Sequence, residues 1–266
     1  MDFDMADETV LMEIDERGVA TLTLNRPEIH NAINDIVINR LINLLDGIST
    51  NGKIRVVVLR ASGASFSAGA DANWMRRMAD NSYLENLEDA SRLALLMKKL
   101  NYLDKTTIAV IQGAAFGGAI GLIACCDIAI AGDQAKFAFS EVKIGLTPAT
   151  IAPYVVAAIG EGAARRYFQT GERFDCNEAY KIGLVHLVVP NEELDNACNG
   201  IIEAILANSP QAVKAAKDLV FRVSRGPIDQ EMIDDTVRRI ATIRVSEEGQ
   251  EGLSAFLEKR KPKWTE

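Results

Sequence analysis

Two short runs of small residues, each behind an apolar stretch, are the parts of this chain best suited to chemistry. The first is Phe66-Ser67-Ala68-Gly69-Ala70-Asp71, after Val56-Val57-Val58-Leu59. The second is Gln112-Gly113-Ala114-Ala115-Phe116-Gly117-Gly118, after Thr107-Ile108-Ala109-Val110-Ile111. Glycine and alanine let a ligand come close to the backbone. Each turn can aim one N–H at a shared point, and two N–H donors on one carbonyl oxygen make an oxyanion hole. A lone glycine-rich turn behind a strand more often just reverses the chain.

The elements around these turns are legible from periodicity. Val10 to Glu16, Val19 to Leu24 and Arg55 to Leu59 read as strands, the first two joined by a turn at Glu16-Arg17-Gly18. Asp35 to Ile48 carries Ile38, Leu41, Ile42 and Leu45 at helical spacing. Strand, small-residue turn and helix then recur. Val56 to Leu59 leads to a helix from near Asp71, and Ile108 to Ile111 leads to one over Gly118 to Cys126. Asp127 to Ala131 adds a short strand. This alternation predicts an α/β architecture. Beyond Pro190 come only amphipathic helices, Glu192 to Leu206, Pro210 to Arg222, Asp229 to Arg244 and Gly249 to Lys259. Helices without a sheet need another surface to bury their apolar faces. The chain is therefore divided into a core over 1-190 and a helical region over 191-266.

Composition narrows the function. The 266 residues are 48% apolar and 25% charged, which describes an ordinary globular protein. A net charge of −8 argues against nucleic acid as a partner, since phosphate binding needs a basic surface. No apolar run is long enough to span a bilayer, and Met1 to Met5 do not read as a signal peptide, so no membrane association and a cytoplasmic location are expected. Cys125, Cys126, Cys176 and Cys198 show neither metal nor disulfide spacing. With only His30 and His186 present, an imidazole metal site and a Ser-His-Asp hydrolase are both disfavoured. His186 lies in the strand-like run Gly183 to Val189, closed by Pro190, and reads as structural.

Five segments agree in order along the chain: Leu24-Asn25-Arg26-Pro27 with Asn31-Ala32, Phe66 to Asp71, Gly113 to Asp127, Phe137 to Pro148, and Glu251-Gly252 with Phe256 to Arg260. Together they resemble the enoyl-CoA hydratase/isomerase (crotonase) superfamily over nearly the whole length. The resemblance implies a ClpP/crotonase-like spiral of ββα units followed by a helical trimerisation region. It implies an acyl-CoA thioester as substrate, no cofactor beyond the coenzyme A of that substrate, and a homotrimer or hexamer (a dimer of trimers).

Residue by residue, the resemblance gives the two oxyanion N–H groups to Ala68 and Gly118, with Gly69, Ala70 and Asp71 completing the first substrate-binding turn. Asp71 is also a good N-cap for the helix carrying Trp74 and Met75. Hydratases of the family use two glutamates. One matches Glu141, whose apolar neighbours would raise its pKa toward neutrality. The other falls at Gly121 and is missing. That absence is expected to open room for a branched acyl group or an extra water. Arg26, with Phe256 and Lys259 from a neighbouring subunit, matches the coenzyme A positions.

One glutamate can serve a hydratase or a Δ3-Δ2-enoyl-CoA isomerase. The flanks Asn73 to Met78, Ala124 to Asp127 and Ser140 to Tyr154 resemble bacterial methylglutaconyl-CoA hydratases and the isohexenylglutaconyl-CoA hydratases of terpene breakdown. A branched, carboxylated 2-enoyl-CoA is thus expected, with Arg76 or Arg77 facing its distal carboxylate. A silent acyl-CoA- or RNA-binding member of the fold fits less well with the charge and with Glu141. A ClpP-like protease is disfavoured because no positioned histidine could activate Ser67.

Overall fold

A computed structural model describes residues 8–224 and 226–265; Met1 to Met5, read above for a targeting segment, lie outside them. The chain divides into two compact units. One runs up to Leu103 and includes Thr107–Cys198; the other joins Asp104–Thr106 to the residues from Asn199 onward. The division falls inside a helix, a few residues beyond the change of pattern at Pro190.

In the first unit, β1 (Val10–Ile14) and β2 (Val19–Leu24) form an antiparallel hairpin, and β2 continues in parallel register with β3 (Val56–Ala61), Val19 opposite Val56. Between them α1 (Asp35–Thr50) is capped by Asn34, whose side chain accepts from the Val37 N–H. That satisfies one of the orphan donors of the first turn. It buries Val37, Ile38, Leu41, Ile42, Leu44, Leu45 and Ile48, the stripe its 3.6-residue period predicts.

Next come α2 (Ala72–Asp80) and α3 (Tyr83–Asn101), then β4 (Thr106–Ile111), β5 (Ala114–Phe116), α4 (Gly118–Cys125), β6 (Ile128–Gly132) and β7 (Lys136–Ala138). They are followed by α5 (Ala152–Thr170), β8 (Phe174–Asp175), α6 (Cys176–Lys181) and β9 (Leu187–Val189). A six-stranded sheet has the order β1-β2-β3-β4-β6-β9, and β5, β7 and β8 form a second sheet of three. The β4–β6 and β6–β9 pairs are parallel. This is the α/β architecture the alternation predicts.

Val57, Leu59, Ala109, Ile111 and Ala129 from the large sheet share one buried cluster with α1, with Leu96 and Met97 of α3 and with Ile120 of α4. The two small-residue turns follow β3 and β4, so burial of those strands fixes where the turns lie. His186 is structural: its Nδ1 accepts from the Ala129 N–H at 2.9 Å and its own N–H donates to the Ala129 carbonyl at 2.8 Å. All four cysteines are buried.

The second unit holds most of α7 (Leu194–Leu206), with α8 (Pro210–Val223), α9 (Gln230–Arg244) and α10 (Glu247–Glu258). Ser209, Asp229 and Ser246 each cap the following helix through a side-chain oxygen. Among the described residues no helix is long and apolar enough to cross a membrane.

Candidate active site

The turn after β3 is braced before it can do chemistry. Asn31, at φ +54°, donates its amide to the carbonyls of Ser62 and Ser65 and accepts from the Arg26 N–H. Arg26 spans the turn, donating to the Ala32 carbonyl at 2.7 Å and to Asp71 at 2.9 Å, with side chains only 19% and 8% exposed. Asp71 uses its other oxygen to cap α2 through the N–H groups of Asn73 and Trp74. Burial alone would raise the Asp71 pKa, but those two N–H groups and the guanidinium together hold it below the usual range.

Both residues thus serve the turn itself: Arg26 places two guanidinium N–H groups on Asp71 and Ala32, Asp71 has both oxygens engaged, and neither lines the cavity described below, unlike the coenzyme A and substrate roles expected of them.

The amides of the first turn also face differently from the expectation. The Ala68 N–H, expected to face the substrate, donates to the His30 carbonyl at 2.9 Å. Two residues on, Ile33 pairs with the Gly69 carbonyl at 2.7 Å and with the Asp71 N–H at 2.8 Å. Those bonds flank Ala70 on one side, so its own N–H points to the other, where it meets no acceptor among the described residues. Gly69 makes the switch possible. Its φ is +97°, and a Cβ there would lie 3.2 Å from the Phe116 carbonyl oxygen. Gly118 stands at the first position of α4, where the N–H has no intrahelical acceptor, and the helix dipole favours an anion.

Gly69, Ala70, Gly118 and Glu141 all line one cavity of about 500 Å³, and Ala68 does not. Glu141 opens a 3-10 turn over Glu141–Ile144, and its Oε2 is buried with no hydrogen-bond partner. Burial pushes its carboxyl above the ordinary carboxylate range. Gly117, at φ +53°, brings the second turn against it: a Cβ on Gly117 would sit 3.3 Å from Glu141 Oε1. Small residues are therefore needed for a second reason, to admit the acid beside the amide.

The missing second glutamate does not leave room. A Cβ on Gly121 would lie 2.2 Å from Ile151 Cγ2 and 3.1 Å from Met97 Cε. Ile151 lines the cavity in its place, so an apolar wall stands where the family's second carboxylate would be. Nor do the expected arginines reach in. Arg77 pairs with Asp35, Arg76 donates to Asn73, and neither lines the cavity.

Of the remaining walls, Trp74 and Met78 of α2 and the loop from Gly145 to Thr150 fall in the matched flanks, whereas Asp89, Ala90 and Leu93 of α3 belong to a helix the sequence pattern did not reveal. Ser82 followed by Glu85 is a capping box, completed in the structure. It could have announced α3 ahead of Leu93, Leu96, Met97 and Leu100. In the second unit, Phe256 is 81% exposed on α10, and Lys259 is the left-handed cap that ends it.

Two free amides and a half-buried carboxylate with one unpartnered oxygen around a largely apolar cavity are the equipment of an enzyme that draws charge onto a carbonyl oxygen while moving a proton. The chain belongs to the enoyl-CoA hydratase/isomerase (crotonase) family, whose model it matches over residues 15–266. An enoyl-CoA hydratase structure from Shewanella pealeana is 47% identical, covers 98% of each chain and superposes with a TM-score of 0.95. A short-chain-enoyl-CoA hydratase of Clostridium acetobutylicum is 31% identical over 92% of this chain and 94% of its own. A 2,3-dehydroadipyl-CoA hydratase of Escherichia coli is 30% identical over 93% and 95%.

Proposed function

We propose that this enzyme adds water to a short, branched 2-enoyl-CoA that carries a second carboxylate, methylglutaconyl-CoA being the first choice. The observation that carries the hydratase reading is Glu141: its Oε2 is buried without a partner, burial raises its pKa, and its Oε1 lies beside Gly117 of the second turn. The thioester oxygen accepts from the Ala70 and Gly118 N–H groups, which hold the negative charge as the enolate-like anion forms. Glu141 takes a proton from water as its oxygen attacks the β-carbon. The same carboxyl then returns the proton to the α-carbon, so one acid/base group closes the cycle.

The branched, carboxylated acyl group rests on the flanking sequence pattern. Among the described residues on the cavity wall there is no Lys or Arg, and its only hydroxyls belong to Thr147 and Thr150. In this reading those hydroxyls and water at the cavity mouth meet the distal carboxylate, in place of an arginine.

Assay in heavy-oxygen water tests both levels. The parent should place solvent oxygen on the β-carbon, and Glu141→Gln should lower kcat by about 10³. Methylglutaconyl-CoA should be preferred over 3-methylcrotonyl-CoA by about tenfold in kcat/KM. A double-bond shift without oxygen uptake would make the enzyme an isomerase. A preference for the neutral ester would remove the carboxylate from the substrate.

A further inference from the structure

Helix α2 forms one wall of the cavity, yet Trp74 is its only buried residue. The side chain is 6% exposed, so the placement of that wall depends on what holds this indole. Its backbone N–H goes to Asp71, the residue after Ala70, and its Nε1–H donates to Asp89 Oδ1 on α3 at 3.0 Å. Asp89 is itself well placed to hold it. The Ser82–Glu85 capping box fixes the start of α3, and Asn86 donates to the carbonyls of Met78 and Asn81 across the corner between the two helices.

We propose that Asp89 is a positioning residue that sets acyl-chain selectivity by latching Trp74 across the cavity. The latch links the acyl wall to the oxyanion turn, because Trp74 is bonded at one end to Asp71 and at the other to Asp89. Asp89 does not stand in for the missing second glutamate. Met97, whose side chain reaches the position of Gly121, lies eight residues along α3, which is about 12 Å of helix. Its task is to accept from the indole, and an uncharged acceptor of the same shape can do that as well.

The test rests on the hydratase reading and separates its failure from that of the latch. Kinetics on crotonyl-CoA and 3-methylcrotonyl-CoA give the branched-to-straight ratio of kcat/KM for the parent, Asp89→Asn, Asp89→Leu and Trp74→Phe. Asp89→Leu and Trp74→Phe should shift that ratio by about tenfold in the same direction, mainly through KM, and the double variant should shift it no further. Asp89→Asn should keep the parent ratio within about twofold.

Trp74 fluorescence, with Trp264→Phe removing the other tryptophan, gives a readout that needs no turnover. Emission should move to the red in Asp89→Leu and stay at the parent wavelength in Asp89→Asn. An Asn variant that behaves like the Leu variant overturns the proposal, because the charge would then act directly. So does a Leu variant with parent ratio and parent emission. A parent that hydrates neither these two esters nor methylglutaconyl-CoA but shows the emission pattern would instead sink the hydratase reading and leave the Trp74–Asp89 contact standing.

Discussion

At the scale of single residues, Glu141 concentrates the chemistry and pays for it in stability. Burial raises its pKa in the folded chain above the unfolded value near 4.5, so the folded state holds this proton more tightly. The contribution to stability is therefore full below the unfolded pKa and lost as pH rises through the folded pKa. Above that window a charged, unpaired Oε2 sits in a poorly solvated place. Glu141→Gln keeps the shape and removes the charge. Its melting temperature should exceed the parent's by about 2 °C at around pH 8, with the gain vanishing near about pH 4. Equal melting temperatures across that range would mean the carboxylate finds a partner in solution.

Glu141 and Gly118 were singled out through the family resemblance, which matches a side-chain type and a helix start position by position, and the structure brings both to one cavity. The inward amide of the first turn was not legible in that way. Which amide of Ser67-Ala68-Gly69-Ala70-Asp71 turns inward depends on the +97° torsion at Gly69 and on the pairing of Ile33, and both are tertiary facts.

At the scale of elements, the lesson lies in Gly121. Its missing carboxylate reads in sequence as a space, but the space belongs to Ile151, which arrives from the start of α5 thirty residues later by way of the Glu141 loop. Periodicity cannot report such a neighbour, because it describes one element at a time. It did describe α1, α4 and the β3 and β4 strands well, since each buries a regular stripe or run. Helix α3, which carries Asp89 and Leu93, buries only Leu96, Met97, Leu100 and Asn101 near its end, so its stripe is too short to announce it.

The packing at Gly121 makes a direct prediction. Gly121→Ala should cost about 1–3 kcal/mol in denaturant unfolding, because its Cβ meets Ile151 Cγ2 at 2.2 Å. Adding Ile151→Ala should recover most of that loss. A Gly121→Ala chain as stable as the parent would show that Ile151 swings away easily, and that the apolar wall is softer than drawn. Restoring a two-glutamate site would by the same argument require a smaller residue at 151 as well.

At the scale of the whole molecule, the helices of the second unit keep large apolar side chains exposed. On α9, Ile233, Val237 and Ile240 are 45%, 57% and 47% exposed. At spacings of four and three residues they share one face. Val220 of α8 and Leu253, Phe256 and Leu257 of α10 are exposed as well. A monomer seldom leaves so many large apolar side chains of one region in water. We expect three copies, or six, to bury it, with Phe256 and Lys259 of one chain reaching the coenzyme A of the next as the family resemblance implies. Light scattering should therefore give a mass of three or six chains of 29.0 kDa. Val237→Asp with Ile240→Asp should lower that mass and weaken binding of a coenzyme A ester by about tenfold or more. Lys259→Ala should weaken binding by a similar factor at unchanged mass, which separates the contact from the assembly. A parent that runs as a 29.0 kDa monomer would remove both the oligomer and the shared coenzyme A site.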